Sequence, residues 1–128
     1  MNEEKIDRKI SVIFATDVVD YSLHMEKDET GTVTSLRKYE KFLKESFKKH
    51  GGRLFNTGGD SFMAEFSSAV KAVECAIDFQ NIVKEKNIKP ALSFRIGINA
   101  GDVILEKKNL LGDGVNLAAR LEQLSQPD

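Results

Sequence analysis

Residues 53–66 read RLFNTGGDSFMAEF. Two short runs rich in aromatic and apolar side chains, RLFNT and SFMAEF, flank Gly58-Gly59-Asp60. Glycines supply the backbone freedom of a tight turn, so the stretch predicts a β-hairpin with Asp60 at its turn. A hairpin this short is not stable alone and needs further strands and a helical cover.

Upstream, KISVIFATD (9–17) is apolar on both alternating faces, Ile10, Val12 and Phe14 against Ser11, Ile13 and Ala15, which suits a central strand with Asp17 at its exit. A polar connector follows. Thr30 is placed to cap a helix carrying Leu36, Tyr39, Leu43 and Phe47 at helical spacing and ending at Gly51-Gly52. Downstream, Ser67 or Ser68 caps a second helix, with Val70, Val73, Ile77 and Val83 expected to face inward and Pro90 marking its end.

ALSFRIGINAGDVIL (91–105) alternates through Leu92, Phe94, Ile96 and Ile98, then passes Gly101-Asp102 into a second apolar run. This predicts two strands joined by a turn, followed by a polar loop, EKKN. The final stretch, DGVNLAARLEQLSQ, sets Leu117, Leu121 and Leu124 on one helical face before Pro127. The order β, α, β-β, α, β-β, α, with helices on one face of a mostly antiparallel sheet, is that of an α+β, ferredoxin-like or split βαβ sandwich.

The 128 residues make one domain with room for a proper core. Nineteen basic residues balance twenty acidic ones, for a net charge of -1. The basic residues are dispersed apart from a modest cluster at 37–49, so no nucleic-acid partner is expected. No apolar run approaches a membrane span and the amino-terminal residues lack a signal peptide's apolar stretch, so the segment is expected to be cytoplasmic and to make no membrane contact. The single cysteine, Cys75, excludes an intrachain disulfide and reads as a small buried residue.

Asp17 and Asp60 gain interest together, because strands about 4.8 Å apart can bring both carboxylates to one sheet edge. Two close carboxylates resist ionising together, and Mg²⁺, which favours one or two carboxylates plus substrate phosphates, would relieve that conflict. Each alone also reads as an ordinary turn aspartate. Asn116 and Arg120, one helical turn apart, can reach one ligand, with Arg presenting a fork suited to phosphate; a solvated helix face is the alternative. His24 and His50 show no metal-ligand or triad spacing and read as surface or helix-end residues.

FATDVVDYS around Asp17, DETGT, KKHGGR, NTGGDSFMAEF around Asp60, FRIGINAGDV and GDGVNLAARLE resemble, in that order, the catalytic domain of class III adenylate and guanylate cyclases. Gly58-Gly59-Asp60-Ser61-Phe62 also nearly spells the GGDEF box of diguanylate cyclases, which have no counterpart to the Asn116 and Arg120 pair. The resemblance implies that Asp17 and Asp60, with the carbonyl of Val18, bind two Mg²⁺ or Mn²⁺ ions per site. It implies that Asn116 orients the ribose and Arg120 stabilises charge on the α-phosphate as pyrophosphate leaves. One domain of the family supplies the aspartates and another the Asn and Arg, so a head-to-tail homodimer with composite active sites is expected, its substrate ATP or GTP.

Purine choice in the family rests on two positions that here are Asn56 and Asn109, matching neither the usual adenine nor the usual guanine pattern. The surrounding motifs look most like bacterial adenylate cyclases, which favours ATP. Family domains also usually continue past the equivalent of ARLEQLSQP with further strands and a lysine that contacts the triphosphate, with no counterpart here. A single cyclase domain over 1–128 lacking those strands is thus expected, with a catalytically silent nucleotide-binding or dimerisation module as the alternative.

Overall fold

The computed structural model describes the backbone of residues 7–106 and 109–111 and the side chains of 10–102. Its strands are β1 (Asp7–Val18), β2 (Arg53–Gly58), β3 (Ser61–Phe66), β4 (Phe94–Glu106) and β5 (Asn109–Leu111). Its helices are α1 (Tyr21–Lys27), α2 (Glu29–Lys49) and α3 (Ala69–Glu85). The strands form one sheet in the order β2-β3-β1-β4-β5, every neighbouring pair antiparallel. This is the expected α+β class. The expected closing helix with Asn116 and Arg120 lies outside the described residues.

Central β1 is buried on both faces, as its two-sided apolar pattern predicts. Val12, Phe14 and Val18 join the core beneath the helices, while Ile13 and Ala15 form a smaller cluster with Phe55 and Met63. Leu36, Tyr39, Leu43 and Phe47 of α2 all point into the main core. Phe47 meets Phe14 edge-on at 5.2 Å, and Tyr39 meets Phe94 at 5.3 Å. At the end of α2, Gly51 takes φ 78°, and a Cβ on Gly52 would lie 2.5 Å from the Phe66 ring. The two glycines that end the helix therefore do separate jobs, one turning the chain and one admitting an aromatic ring.

Four expectations change. The connector after β1 is the short helix α1, too brief and too polar to show a periodicity; it has no buried residue. Helix α2 is capped by Asp28, whose Oδ1 accepts from the Gly31 amide at 3.0 Å, and Thr30 lies inside the first turn. Helix α3, capped by Ser68 as expected, buries Ala72, Cys75 and Phe79, whereas Val70, Val73 and Ile77 are 66%, 47% and 58% exposed. Both sets obey helical spacing, so periodicity alone leaves the inward face open. Val83 does pack against the core.

The fourth change is in β4, which runs unbroken through the expected turn at Gly101-Asp102. Gly101 pairs with Ser11 and Asp102 with Ile10 along a continuous β1 edge. The run expected as the second strand is thus the far half of β4, and the strand that pairs with it is the unforeseen β5, where Asn109 lies opposite Glu106. The sheet also curls: backbones of β2 and β5, at opposite ends of the strand order, come within 8 Å of each other.

The two faces of α3 should respond differently to substitution. Phe79, which meets Phe94 edge-on at 5.1 Å, should cost about 3–5 kcal/mol when changed to Ala. Ile77→Gln should stay within about 0.5 kcal/mol. Urea unfolding measures both, and comparable losses would mean that the inward face is misassigned.

Candidate active site

Asp17 is the penultimate residue of β1, and the β2–β3 turn carries Asp60 to the same sheet end, with Gly59 at φ 60° supporting the turn. The join is a hydrogen bond: the Val18 amide donates to Asp60 Oδ2 at 3.1 Å. On the other side of β1, the register sets Arg95 of β4 opposite Asp17. Arg95 Nε and Nη2 donate to Asp17 Oδ1 at 3.1 and 3.0 Å, and Nη2 also reaches Oδ2 at 3.2 Å. Asp17, Val18, Asp20, Tyr21, Asp60 and Arg95 line an open cleft of about 460 Å³.

The structure thus brings Asp17, Val18 and Asp60 together, as expected from their sequence context. The Asp60 carboxyl is held above the usual aspartate range, first by burial and then by the nearby Asp17 charge. Hydrogen bonds from the Val18 and Asp60 amides and the Arg95 charge oppose the shift. Asp17, by contrast, has Arg95 as a direct counter-ion, with side-chain exposures of 14% and 28% for the pair.

Asn56 is exposed on β2, opposite Met63. Asn109 opens β5, and the curl of the sheet brings these two strands near each other within the chain. The roles suggested for Asn116 and Arg120 fall outside the described residues. His50 caps the end of α2, where its Nε2 lies 3.2 Å from Asp78 Oδ2, well apart from the cleft. Cys75 is fully buried, and burial pushes its thiol up to about 12, which suits an inert core residue.

Two cleft residues were missed in the sequence. Arg95 sits in an alternating apolar run, and only strand register reveals its partner. Asp20 adopts a left-handed backbone, φ 54° and ψ 40°, at the start of α1 without capping it through its side chain. Such a conformation is unusual outside glycine, though Asp tolerates it better than most, and it turns the chain from β1 into the cleft wall.

A divalent cation fits the donor set. Two carboxylates and a main-chain carbonyl gathered at one sheet end match the sparse protein ligation of Mg²⁺, which favours one or two carboxylates plus substrate phosphates. No cluster of three or more His, Cys, Asp or Glu side chains able to hold a metal occurs among the described residues.

Fold and cleft together define an α+β domain with an acidic, arginine-flanked site at the carboxyl end of its central strand. Residues 2–128 match the family model described as the adenylate and guanylate cyclase catalytic domain, and the chain belongs to that family. It is 42% identical over 132 residues to putative adenylate cyclase 3 of Rhizobium meliloti, covering 99% of this chain and 22% of that protein. It is 31% identical to an adenylate cyclase of Streptomyces coelicolor, covering 99% of this chain and 33% of that one. The chain therefore spans well under half of either relative. Among solved structures, an adenylate/guanylate cyclase/hydrolase from Silicibacter pomeroyi superposes with a TM-score of 0.85 at 34% identity, covering 96% of this chain and 74% of its own. A bacterial light-regulated adenylyl cyclase gives 0.84 at 27%, covering 94% and 41%. No helix among the described residues is long and apolar enough to cross a membrane.

The raised Asp60 yields a signed prediction. Its folded form holds the proton more tightly than the unfolded chain, whose aspartate value is 3.8, so ionised Asp60 lowers stability above that range. Asp60→Asn should unfold at higher urea than the parent near neutral pH, and the gap should close as pH falls below 3.8. A gap that persists unchanged in acid would assign the gain to something other than the Asp60 charge.

Proposed function

We propose that this domain converts ATP to 3′,5′-cyclic AMP and pyrophosphate in composite active sites of a head-to-tail homodimer. The observation that carries the reading is the convergence of Asp17 and Asp60 at one sheet edge through the Val18 amide, in a chain of the cyclase family. The names of the bacterial relatives favour ATP over GTP. An Asn can also pair with the N6/N7 edge of adenine, a chemistry open to Asn56 and Asn109.

Asp17, Asp60 and the Val18 carbonyl would hold two Mg²⁺ or Mn²⁺ ions. Bound there, these ions supply a lowered pKa for the ribose 3′-hydroxyl and charge compensation for the triphosphate. The chain's own residues provide the rest. Asp17 and Asp60 fix where the phosphates can sit, and Arg95, already at the cleft, is placed to exchange part of its hold on Asp17 for a phosphate oxygen. From the partner protomer, Asn116 orients the ribose for in-line approach, and Arg120 stabilises charge gathering at the α-phosphate. Because each chain carries both halves, two equivalent sites follow from twofold symmetry.

Incubation with ATP or GTP and Mn²⁺, with products resolved by chromatography, tests the reading. Cyclic AMP is expected. Cyclic GMP would reassign the purine, cyclic di-GMP would place the chemistry with diguanylate cyclases, and no product from a folded dimer would leave a silent binding module. Asp17→Ala should reduce turnover by more than about 100-fold while the protein stays folded. Asp60→Ala and Arg120→Ala, each inactive, should regain about a quarter of the parent activity when mixed equally, since half the dimers are mixed and each restores one site of two. No recovery at any ratio would sink the composite site.

A further inference from the structure

Between the end of α3 and the start of β4, the chain walls a second cavity of about 470 Å³ that shares no lining residue with the acidic cleft. Its accessible apolar side is formed by the half-buried Val83 and Ile88, backed by the buried Tyr39, Leu92 and Phe94, and its rim carries Lys84, Lys86 and Lys89. Among the described residues, no Asp or Glu lines it. Lysines near a helix C-terminus are expected on dipole grounds, which accounts for Lys84 and Lys86. Lys89 lies beyond the helix, four residues past Glu85, and the dipole does not explain its place on a cavity rim.

The walls are tied down. Tyr39 Oη accepts from the Leu92 amide at 3.3 Å inside the core, and Gln80 donates to the Phe94 carbonyl at 2.9 Å. Lys86 is held with its ammonium 5.2 Å from the Phe42 ring centroid. The cavity falls within the roughly 300–1,000 Å³ range of small-molecule sites, and it pairs an apolar wall with a net positive rim.

We propose that this cavity is a second binding site, for a small organic anion whose phosphate or carboxylate head meets the lysine rim and whose flat apolar body rests on Val83 and Ile88. Lysine ammoniums bind such heads as point charges without demanding one geometry. The site is also wired to the acidic cleft. The Val19 amide donates to the Ser93 carbonyl at 2.9 Å, Phe94 pairs with Val18, and the next residue, Arg95, grips Asp17. An occupant that shifts residues 92–94 therefore pulls directly on the strand ends that set Asp17.

Amide NMR of the full chain, titrated with phenyl phosphate and separately with inorganic phosphate, tests this by binding alone, so it stands or falls apart from the cyclase reading. Saturable shifts are expected at residues 86–93 and at Val19, with phenyl phosphate at least about tenfold tighter because its ring buries apolar surface. Lys86→Gln with Lys89→Gln should weaken phenyl phosphate about tenfold or more, while Lys86→Arg with Lys89→Arg retains it. Arg95→Gln should leave the shifts at 86–93 in place. The proposal is overturned by equal affinity for the two probes, by affinity unchanged in the Gln variant, or by shifts that centre on residues 17–23 and vanish with Arg95→Gln.

Discussion

The antiparallel embrace of β1 by β3 and β4 is the constraint on which the rest of this domain depends. Register with β3 places Thr16 opposite Phe62, so the turn holding Asp60 overhangs the end of β1. Register with β4 places Asp17 opposite Arg95. A slip of one residue on either side would send these side chains to the opposite faces of the sheet, which the two-sided burial of β1 forbids. The core therefore fixes the site: Val12 and Phe14 cannot leave the helical face without moving Asp17.

This explains what could be read from sequence and what could not. The hairpin was legible because Gly58-Gly59-Asp60 interrupts two apolar runs, and α2 because four large side chains recur on one face. The inward face of α3 was not, since Val70, Val73 and Ile77 look more hydrophobic than Ala72 and Cys75. The choice between faces depends on how closely the helix approaches its sheet. Gly101-Asp102 looked like a turn, yet a long neighbour with free hydrogen-bonding groups draws both residues into the ladder. Asp17 and Asp60 were found by their positions at a strand exit and a hairpin turn. Arg95 was not, because a charged residue in an alternating run announces a face of the sheet and nothing about its cross-strand partner.

Curvature adds a relation that no linear reading contains. Strands β2 and β5 are separated by three others in hydrogen-bonding order, yet the sheet curls until their backbones approach. Asn56 and Asn109, far apart in the sequence, are thereby borne on strands that approach each other within one chain. That arrangement is what a shared contact to one planar ligand would need, and it arises from twist in the sheet rather than from any local signal.

The electrostatics of the cleft divide the two acids. Asp17 has both oxygens engaged by Arg95, a fork that compensates its charge without a cation. Asp60 has one oxygen on a neutral amide and is partly buried, so its charge is compensated less and its carboxyl is held upward. Among the described residues, Asp20 lines the cleft with these two acids and Arg95. Burial makes the ionised form of Asp60 costly, and positive charge brought to it would offset that cost. Burial sets Asp60 apart from Asp17, whose charge the Arg95 fork compensates directly, so two acids joined at one sheet end meet different electrostatic surroundings.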